Sequence, residues 1–293
     1  MAVDRPKKIK FRNSFQPGSK FDLLRLEELF TRTFSDHDSE ELHKIDFFIV
    51  LLITKGHGVH TIDFTEYPYS EGSLLTIRKD QLHRFHKKKG VEGYLLLFTD
   101  DFLVSYLEGL EARKTMRLFN ELLGHPMLEI PKPDRPEVLE SIERIEHEYR
   151  IVADSHSTSI IRSELHILVS KLFRIKSKGE QMVADSKYLP EFIRFQDLVE
   201  SNILKISRVN TYAQMMGVSS KTLNNITQSV VKQTAKEVID AIWMTQIKRL
   251  LINTPLSVKQ VALTMGFEET SNFYKYFKRH AGMTPESFRA KQS

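Results

Sequence analysis

The sequence predicts an α+β chain: an N-terminal antiparallel β-barrel or jelly roll backed by helices, then an all-α segment with two helix-turn-helix patterns. Three observations predict it. Short β-branched or aromatic runs alternate with turn residues from His43 to Phe98, the apolar spacing turns helical beyond Asp100, and two C-terminal stretches each read as helix, glycine break, helix. With 41% apolar and 28% charged residues over 293 positions, disordered and collagen-like chains are excluded and about two domains are expected. The polar stretch QMVADSK marks the division, giving domains over residues 1–180 and 187–293.

In the first domain the runs DFFIVLLITKGHG, VHTIDF, GSLLTIR and GYLLLF imply four or more short strands. Gly56, Gly58, Gly72, Gly90 and Gly93 punctuate them too closely for the crossover helices of a parallel sheet. Within Phe47–Ile53, alternation puts Phe47, Ile49 and Leu51 on one strand face and Phe48, Val50 and Leu52 on the other, and the unbroken apolar run predicts that both faces are covered. After Asp100, DDFLVSYLEGL begins a helical pattern that continues less regularly through Glu111, Met116 and Phe119. Two better stripes follow: Val138, Ile142, Ile145, Tyr149 and Val152, then Ile161, Leu165, Leu168 and Leu172. Pro136 and the stretch Asp154–Ser159 mark their boundaries. Such stripes pack against their own domain or pair two subunits, and the sequence leaves both readings open.

Charge is divided unevenly. Residues 1–186 hold 28 Lys and Arg against 30 Asp and Glu, whereas residues 187–293 hold 15 against 8. A small basic domain on a near-neutral partner is the electrostatic footprint of a phosphate-backbone binder. Its most informative stretch is SVKQVALTMGFEETSNFYKYFKRHAGMTPESFR. Val258, Val261 and Ala262 give one apolar face, Gly266 a break able to take positive φ, and Phe273, Tyr276 and Phe277 a second face. Thr270, Ser271, Asn272 and Lys275 are left on the other side, where such side chains hydrogen-bond base edges, with Lys278 and Arg279 within reach of phosphates. A weaker copy about 50 residues earlier has Tyr212, Ala213 and Met216, the turn at Gly217, an N-cap at Ser219, and Leu223 and Ile226 inward. Ser220, Lys221, Asn224 and Asn225 are its outward candidates. Between the copies, Ala235 to Asn253 reads as one helix of about 28 Å, a length that can hold two reading helices about one DNA turn apart.

Catalytic signals are sparse. No cysteine is present, which excludes disulfides, thiolate metal sites and cysteine nucleophiles and suits a reducing compartment. The pairs His57/His60 and His83/His86 are each three apart, so in a regular strand their members point to opposite faces. H-x-H, H-E-x-x-H and G-x-S-x-G patterns are absent. No enzymatic activity and no cofactor are therefore expected; the alternative is a barrel-borne metal enzyme with an accessory nucleic-acid-binding domain. His43, Arg78 and His83 are ligand-pocket candidates at strand ends where a barrel mouth would lie, with a surface position as the alternative. The run Phe47–Ile53 is too short to cross a bilayer and no apolar stretch follows the basic N-terminus, so neither membrane anchor nor signal peptide is expected, and the cytoplasm is the expected location.

The second motif resembles the AraC/XylS transcription regulators. Ala262, the Gly266-Phe267 pair, Phe273, the run Phe277-Lys278-Arg279, then Gly282, Pro285, Phe288 and Arg289 fall where that family's signature has them or a close equivalent. The resemblance covers residues 187–293, and the barrel with its helices is similar by pattern to the family's cupin-like sensing and dimerisation domain. It implies a homodimeric regulator that grips promoter or operator double-stranded DNA, answers a small-molecule effector or partner, and meets RNA polymerase. It also implies base-reading roles for Lys221 and Asn225, and for Thr270, Ser271 and Lys275. The first motif departs from the pattern at Thr227, Lys232, Ala235 and Trp243, where a phenylalanine, a glycine, a proline and an arginine are usual.

Overall fold

The computed structural model describes residues 6–13, 15–31, 39–104, 119, 126–179, 188–203 and 208–292. The 181–187 stretch, Glu111 and Met116 lie outside the described residues. The chain divides into two compact units, Lys7–Gln181 and a second comprising Met182–Ser293 with Met1–Pro6. No helix among the described residues is long and apolar enough to cross a membrane.

The first unit holds two five-stranded sheets. One contains β1 (Lys7–Ile9), β3 (His43–Ile45), β8 (Leu82–Phe85), β5 (His57–Ile62) and β6 (Thr65–Ser70), in that spatial order. The other runs β10 (Met127–Glu129), β7 (Ser73–Ile77), β4 (Phe48–Lys55), β9 (Glu92–Phe98), β2 (Phe21–Arg25). All recorded pairings are antiparallel except β1 with β3. That exception follows from connectivity: between them the chain visits the other sheet through β2 and the helix α1 (Leu26–Thr31), so it re-enters the first sheet in the same direction.

Strand β4 lies between two hydrophobic layers. Ile49, Leu51 and Ile53 join Phe47, Ile45, Ile62, Tyr69 and Phe85 in the core between the sheets. Phe48, Val50 and Leu52 join the core formed with the helices α3 (Arg135–His147) and α4 (Ser157–Gly179). The near-continuous apolar run is thus a strand covered on both faces, as its sequence predicts. α2 (Asp100–Val104) precedes β10, and Phe102 and Leu103 of α2 are buried in the same helical core. Arg25 locks β2 to α3: its Nε and Nη2 donate to Glu146 at 2.9 and 2.6 Å, and its guanidinium lies 4.0 Å from the Tyr94 ring centre.

The two predicted helical stripes differ at one position. Val138, Ile142, Ile145 and Tyr149 are buried, as are Ile161, Leu165, Leu168 and Leu172, but Val152 is 42% exposed. α3 ends in a π turn over Glu148–Val152, and the wider turn rotates Val152 off the apolar stripe. Ala153 then takes a left-handed conformation, φ 45°, closing the helix.

The second unit is all helical among the described residues: α5 (Leu189–Asn202), α6 (Val209–Met216), α7 (Ser220–Val231), α8 (Ala235–Asn253), α9 (Val258–Thr264), α10 (Thr270–Ala281) and α11 (Pro285–Gln292). α8 starts with a capping box, Thr234 Oγ1 accepting from the Glu237 N–H while Glu237 accepts from the Thr234 N–H.

Candidate nucleic-acid interface

The helix-turn-helix over α9 and α10 is built from its caps inward. Ser257 Oγ accepts from the Gln260 N–H and the Gln260 side chain accepts from the Ser257 N–H, which starts α9. Gly266, φ 79°, makes the turn, a conformation that a Cβ would strain. Phe273 and Phe277 are fully buried, and Phe277 packs on Phe288 of α11 with centroids 5.7 Å apart. Arg289 of α11 donates to the carbonyls of Leu251 and Leu256 at 2.8 and 2.7 Å, tying α11 to the end of α8. With the apolar side so committed, Ser271, Asn272, Lys275, Lys278 and Arg279 are exposed and Thr270 is half-buried. The Ser271 hydroxyl donates to Glu269 Oε2 at 3.2 Å, and the Arg279 guanidinium lies 5.6 Å from the Tyr276 ring centre. The outer face therefore offers amide, hydroxyl and ammonium donors to base edges and a cationic exit to phosphates.

The motif over α6 and α7 is arranged differently. Gly217, φ 71°, caps α6, and Ser219 Oγ accepts from the Thr222 N–H to start α7. Leu223, Ile226, Thr227 and Val230 face inward, and Thr227 turns its hydroxyl back to the Asn224 carbonyl at 3.1 Å. Lys221 and Asn225 are exposed. Asn224 is not aimed outward: its Oδ1 accepts from the Ala235 N–H at 2.8 Å and so satisfies a donor at the start of α8. Ser220 donates to Asn210 Oδ1. Lys232 sits left-handed at φ 57° after α7, a conformation glycine adopts at lower cost.

Of the ligand-pocket candidates, the structure brings His43 and His83 together and sets Arg78 apart, just past the end of β7. Both histidines are buried, 5% and 0% exposed, so neither takes the surface position that the sequence left as the alternative. The reason is register: His43 pairs with His83 across β3 and β8, so their rings meet with centroids 4.3 Å apart. His60, also fully buried, joins them, its Nε2 3.3 Å from His83 Nδ1, while its Nδ1 is buried without a hydrogen-bond partner. Burial first, then His43 and His86, pushes the His60 pKa down to about 3. His57 is exposed, as the three-residue spacing predicts. Arg78 follows β7, its N–H donating to Gln81 Oε1 at 2.8 Å. No group of three or more His, Asp or Glu among the described residues can hold a metal ion.

Two family models match the chain: an AraC-like ligand binding domain over residues 26–169 and a helix-turn-helix domain over residues 212–291. The chain belongs to the AraC family of DNA-binding transcription regulators. It is 28% identical over 123 residues to the melibiose operon regulatory protein of Escherichia coli K12, a match covering 42% of this chain and 39% of that protein. It is 21% identical over 249 residues to the HTH-type transcriptional activator RhaR of Enterobacter sp. strain 638, covering 84% of this chain and 86% of that one. Among solved structures, unsaturated fatty acid-bound ToxT from Vibrio cholerae covers 92% of this chain and 91% of its own at 19% identity, TM-score 0.41.

The AraC family membership supports the regulator reading over the metal enzyme. In this AraC-family chain, sequence reasoning missed Asp240. Nearly buried on α8, its Oδ1 accepts from the Tyr276 hydroxyl at 2.9 Å and from Lys236. Tyr276 also packs on Trp243 and Phe267, with centroids 5.8 and 5.5 Å away. Burial first, then Asp240, raises the Tyr276 pKa, so the phenol stays a donor. Trp243 donates from Nε1 to the Ile203 carbonyl at 2.7 Å and packs in the interior. The signal available in sequence was the Lys236/Asp240 spacing of four on a helix otherwise lined inward by apolar residues.

Proposed function

We propose that this chain binds operator or promoter DNA sequence-specifically as a transcription regulator, with most base reading done by α10. The observation that carries the proposal is the exposed Ser271, Asn272 and Lys275 on a helix held by buried Phe273 and Phe277 and by Tyr276 on Asp240. Thr270 adds a partly exposed hydroxyl, and Lys278 and Arg279 neutralise phosphates. In the first motif Lys221 and Asn225 are the contacting residues, whereas Asn224 and Ser220 serve its internal structure. Residues 187–293 form the DNA-binding domain. Residues 1–180 bind a small-molecule effector, a role supported by the AraC-like ligand binding match, and supply the helices of a homodimer. The resemblance to RhaR, named as a transcriptional activator, supports a role in activation, and RNA polymerase is the partner that such a role would engage. The protein works in the cytoplasm, where the DNA is, and carries no enzymatic activity.

Selection of binding sites from random DNA by the full chain at one fixed salt concentration tests the proposal. Salt is fixed because affinity falls steeply with it. Enrichment of one block, or of two about one helical turn apart, supports it; a selected pool indistinguishable from random rejects sequence-specific binding.

A further inference from the structure

Within the first unit, a cleft of about 360 Å³ opens between the segment Phe15–Phe21 and the turn that joins α3 to α4. Its volume falls within the range of small-molecule sites. Aromatic rings back it: Phe21 stacks on Phe102 with centroids 5.3 Å apart and Tyr149 stands edge-on to Phe21 at 5.6 Å, all three buried, while Phe15, 5.7 Å from Tyr149, is 61% exposed and presents its ring to the cleft. The polar part is acceptor-rich. Asp154 Oδ1 accepts from the N–H groups of His156 and Ser157 at 2.7 and 3.0 Å, while its Oδ2 takes no hydrogen bond among the described residues. The Ser157 hydroxyl stands 2.7 Å from Oε1 of Glu148, behind the cleft lining, and 3.2 Å from Asp154 Oδ1. None of the lining residues is basic. The nearby Lys20 is paired with Asp101 at 2.7 Å, and Arg162, just behind the wall, donates to the Phe102 carbonyl at 2.8 Å with its guanidinium 5.0 Å from the Phe102 ring centre.

The cleft is held open by fixed parts. Asn13 Nδ2 donates to the Phe21 carbonyl and to the Tyr149 hydroxyl, both at 2.7 Å, and that hydroxyl donates to Asp22 at 2.8 Å. Gln16 Nε2 donates to the Tyr149 carbonyl at 3.2 Å. On the opposite side the π turn and left-handed Ala153 place Asp154 at the rim, local geometry of a kind that concentrates at functional sites.

We propose that this cleft is a binding site for a small organic ammonium with an apolar body. The exposed Phe15 ring attracts a cation through its quadrupole, and the open oxygen of Asp154 receives its N–H donors. An anion would meet the Asp154 carboxylate in a cleft whose lining residues include none that is basic. This inference deepens the reading of residues 1–180 as an effector-binding domain and rests on it for its regulatory meaning, though not for binding itself.

Calorimetry on the full chain with three probes of one body tests the assignment: phenethylammonium, the neutral 2-phenylethanol and the anionic 3-phenylpropionate. Phenethylammonium is expected to bind at least about tenfold more tightly than the alcohol, with no binding of the carboxylate. Phe15→Ala, at an exposed position, and Asp154→Asn, whose amide oxygen keeps the helix start capped, should each weaken it about tenfold with only a small fall in melting temperature. Equal binding of alcohol and ammonium, no ammonium binding, or undiminished binding by both variants overturns the assignment. Failure of the effector reading looks different. Binding at the cleft that leaves operator affinity unchanged keeps the site and removes its regulatory role, whereas an operator response to another compound without ammonium binding removes the site alone.

Discussion

The two helix-turn-helix motifs share a plan and differ in what holds them. In the second, Phe273, Phe277 and Phe288 fill the interior, and the outward side chains of α10 are left to solvent. In the first, Thr227 occupies an inward position, and Asn224 reaches across to cap α8. Polar side chains of the first reading helix are thus taken into structural work, and fewer remain exposed. The comparison teaches that outward placement on a helical wheel is not availability: what a side chain can read depends on which neighbouring backbone groups lack partners.

The comparison breaks most visibly at Phe277. Phe277→Ala should cost about 3–5 kcal/mol, since a fully buried ring leaves a cavity, and urea unfolding of the full chain followed by circular dichroism would register it. Thr227→Ala, which removes far less volume, should cost clearly less; equal losses would mean that the two interiors carry similar weight.

Next in size is base discrimination. Lys275→Ala should lose about 1–3 kcal/mol of preference for the selected site over random DNA, whereas Lys278→Ala should weaken both alike and flatten the salt dependence. Equal loss on both DNAs for Lys275→Ala would remove its base-reading role.

A smaller effect should separate two adjacent asparagines. Asn224→Ala leaves the Ala235 N–H without its acceptor and should cost about 1 kcal/mol of stability with site preference unchanged. Asn225→Ala should do the reverse, and a swap of these outcomes would show that Asn224 leaves its cap to meet DNA.

The smallest effect near neutral pH belongs to His60. Its folded pKa, about 3, lies below the ordinary 6.5, so the unfolded chain binds a proton that the folded unit refuses. The stability this preserves is complete above about pH 6.5 and declines as pH falls toward 3, by at most about 1.4 kcal/mol per pH unit. Urea midpoints measured across this window should flatten in His60→Leu; an unchanged slope would show that His60 is protonated in the folded protein.

Much of this was legible in sequence because it depends on local periodicity. The two faces of Phe48–Lys55, the stripe from Val138 to Tyr149, and the glycine turns at 217 and 266 are properties of short windows. What escaped depends on remote partners. His43 meets His83 only through the register of β3 on β8, Asp240 finds Tyr276 36 residues away, and Asn224 meets a donor made available by the start of the next helix. Val152 failed for a local reason of another sort: one wide turn changes the phase of a stripe without changing its composition.

The bond between Asn13 and Tyr149 spans 136 positions of chain. On a ribosome adding about 5–20 residues per second, the N-terminal segment waits several seconds or more for that partner to be made. During this interval β2 can find β9, but the clasp over the helical core stays undone and Phe21 keeps a side uncovered. The helical unit closes mostly over short separations and needs no such wait once synthesised. Nascent chains halted before residue 149 should therefore be the ones most readily captured by chaperones that bind exposed apolar surface.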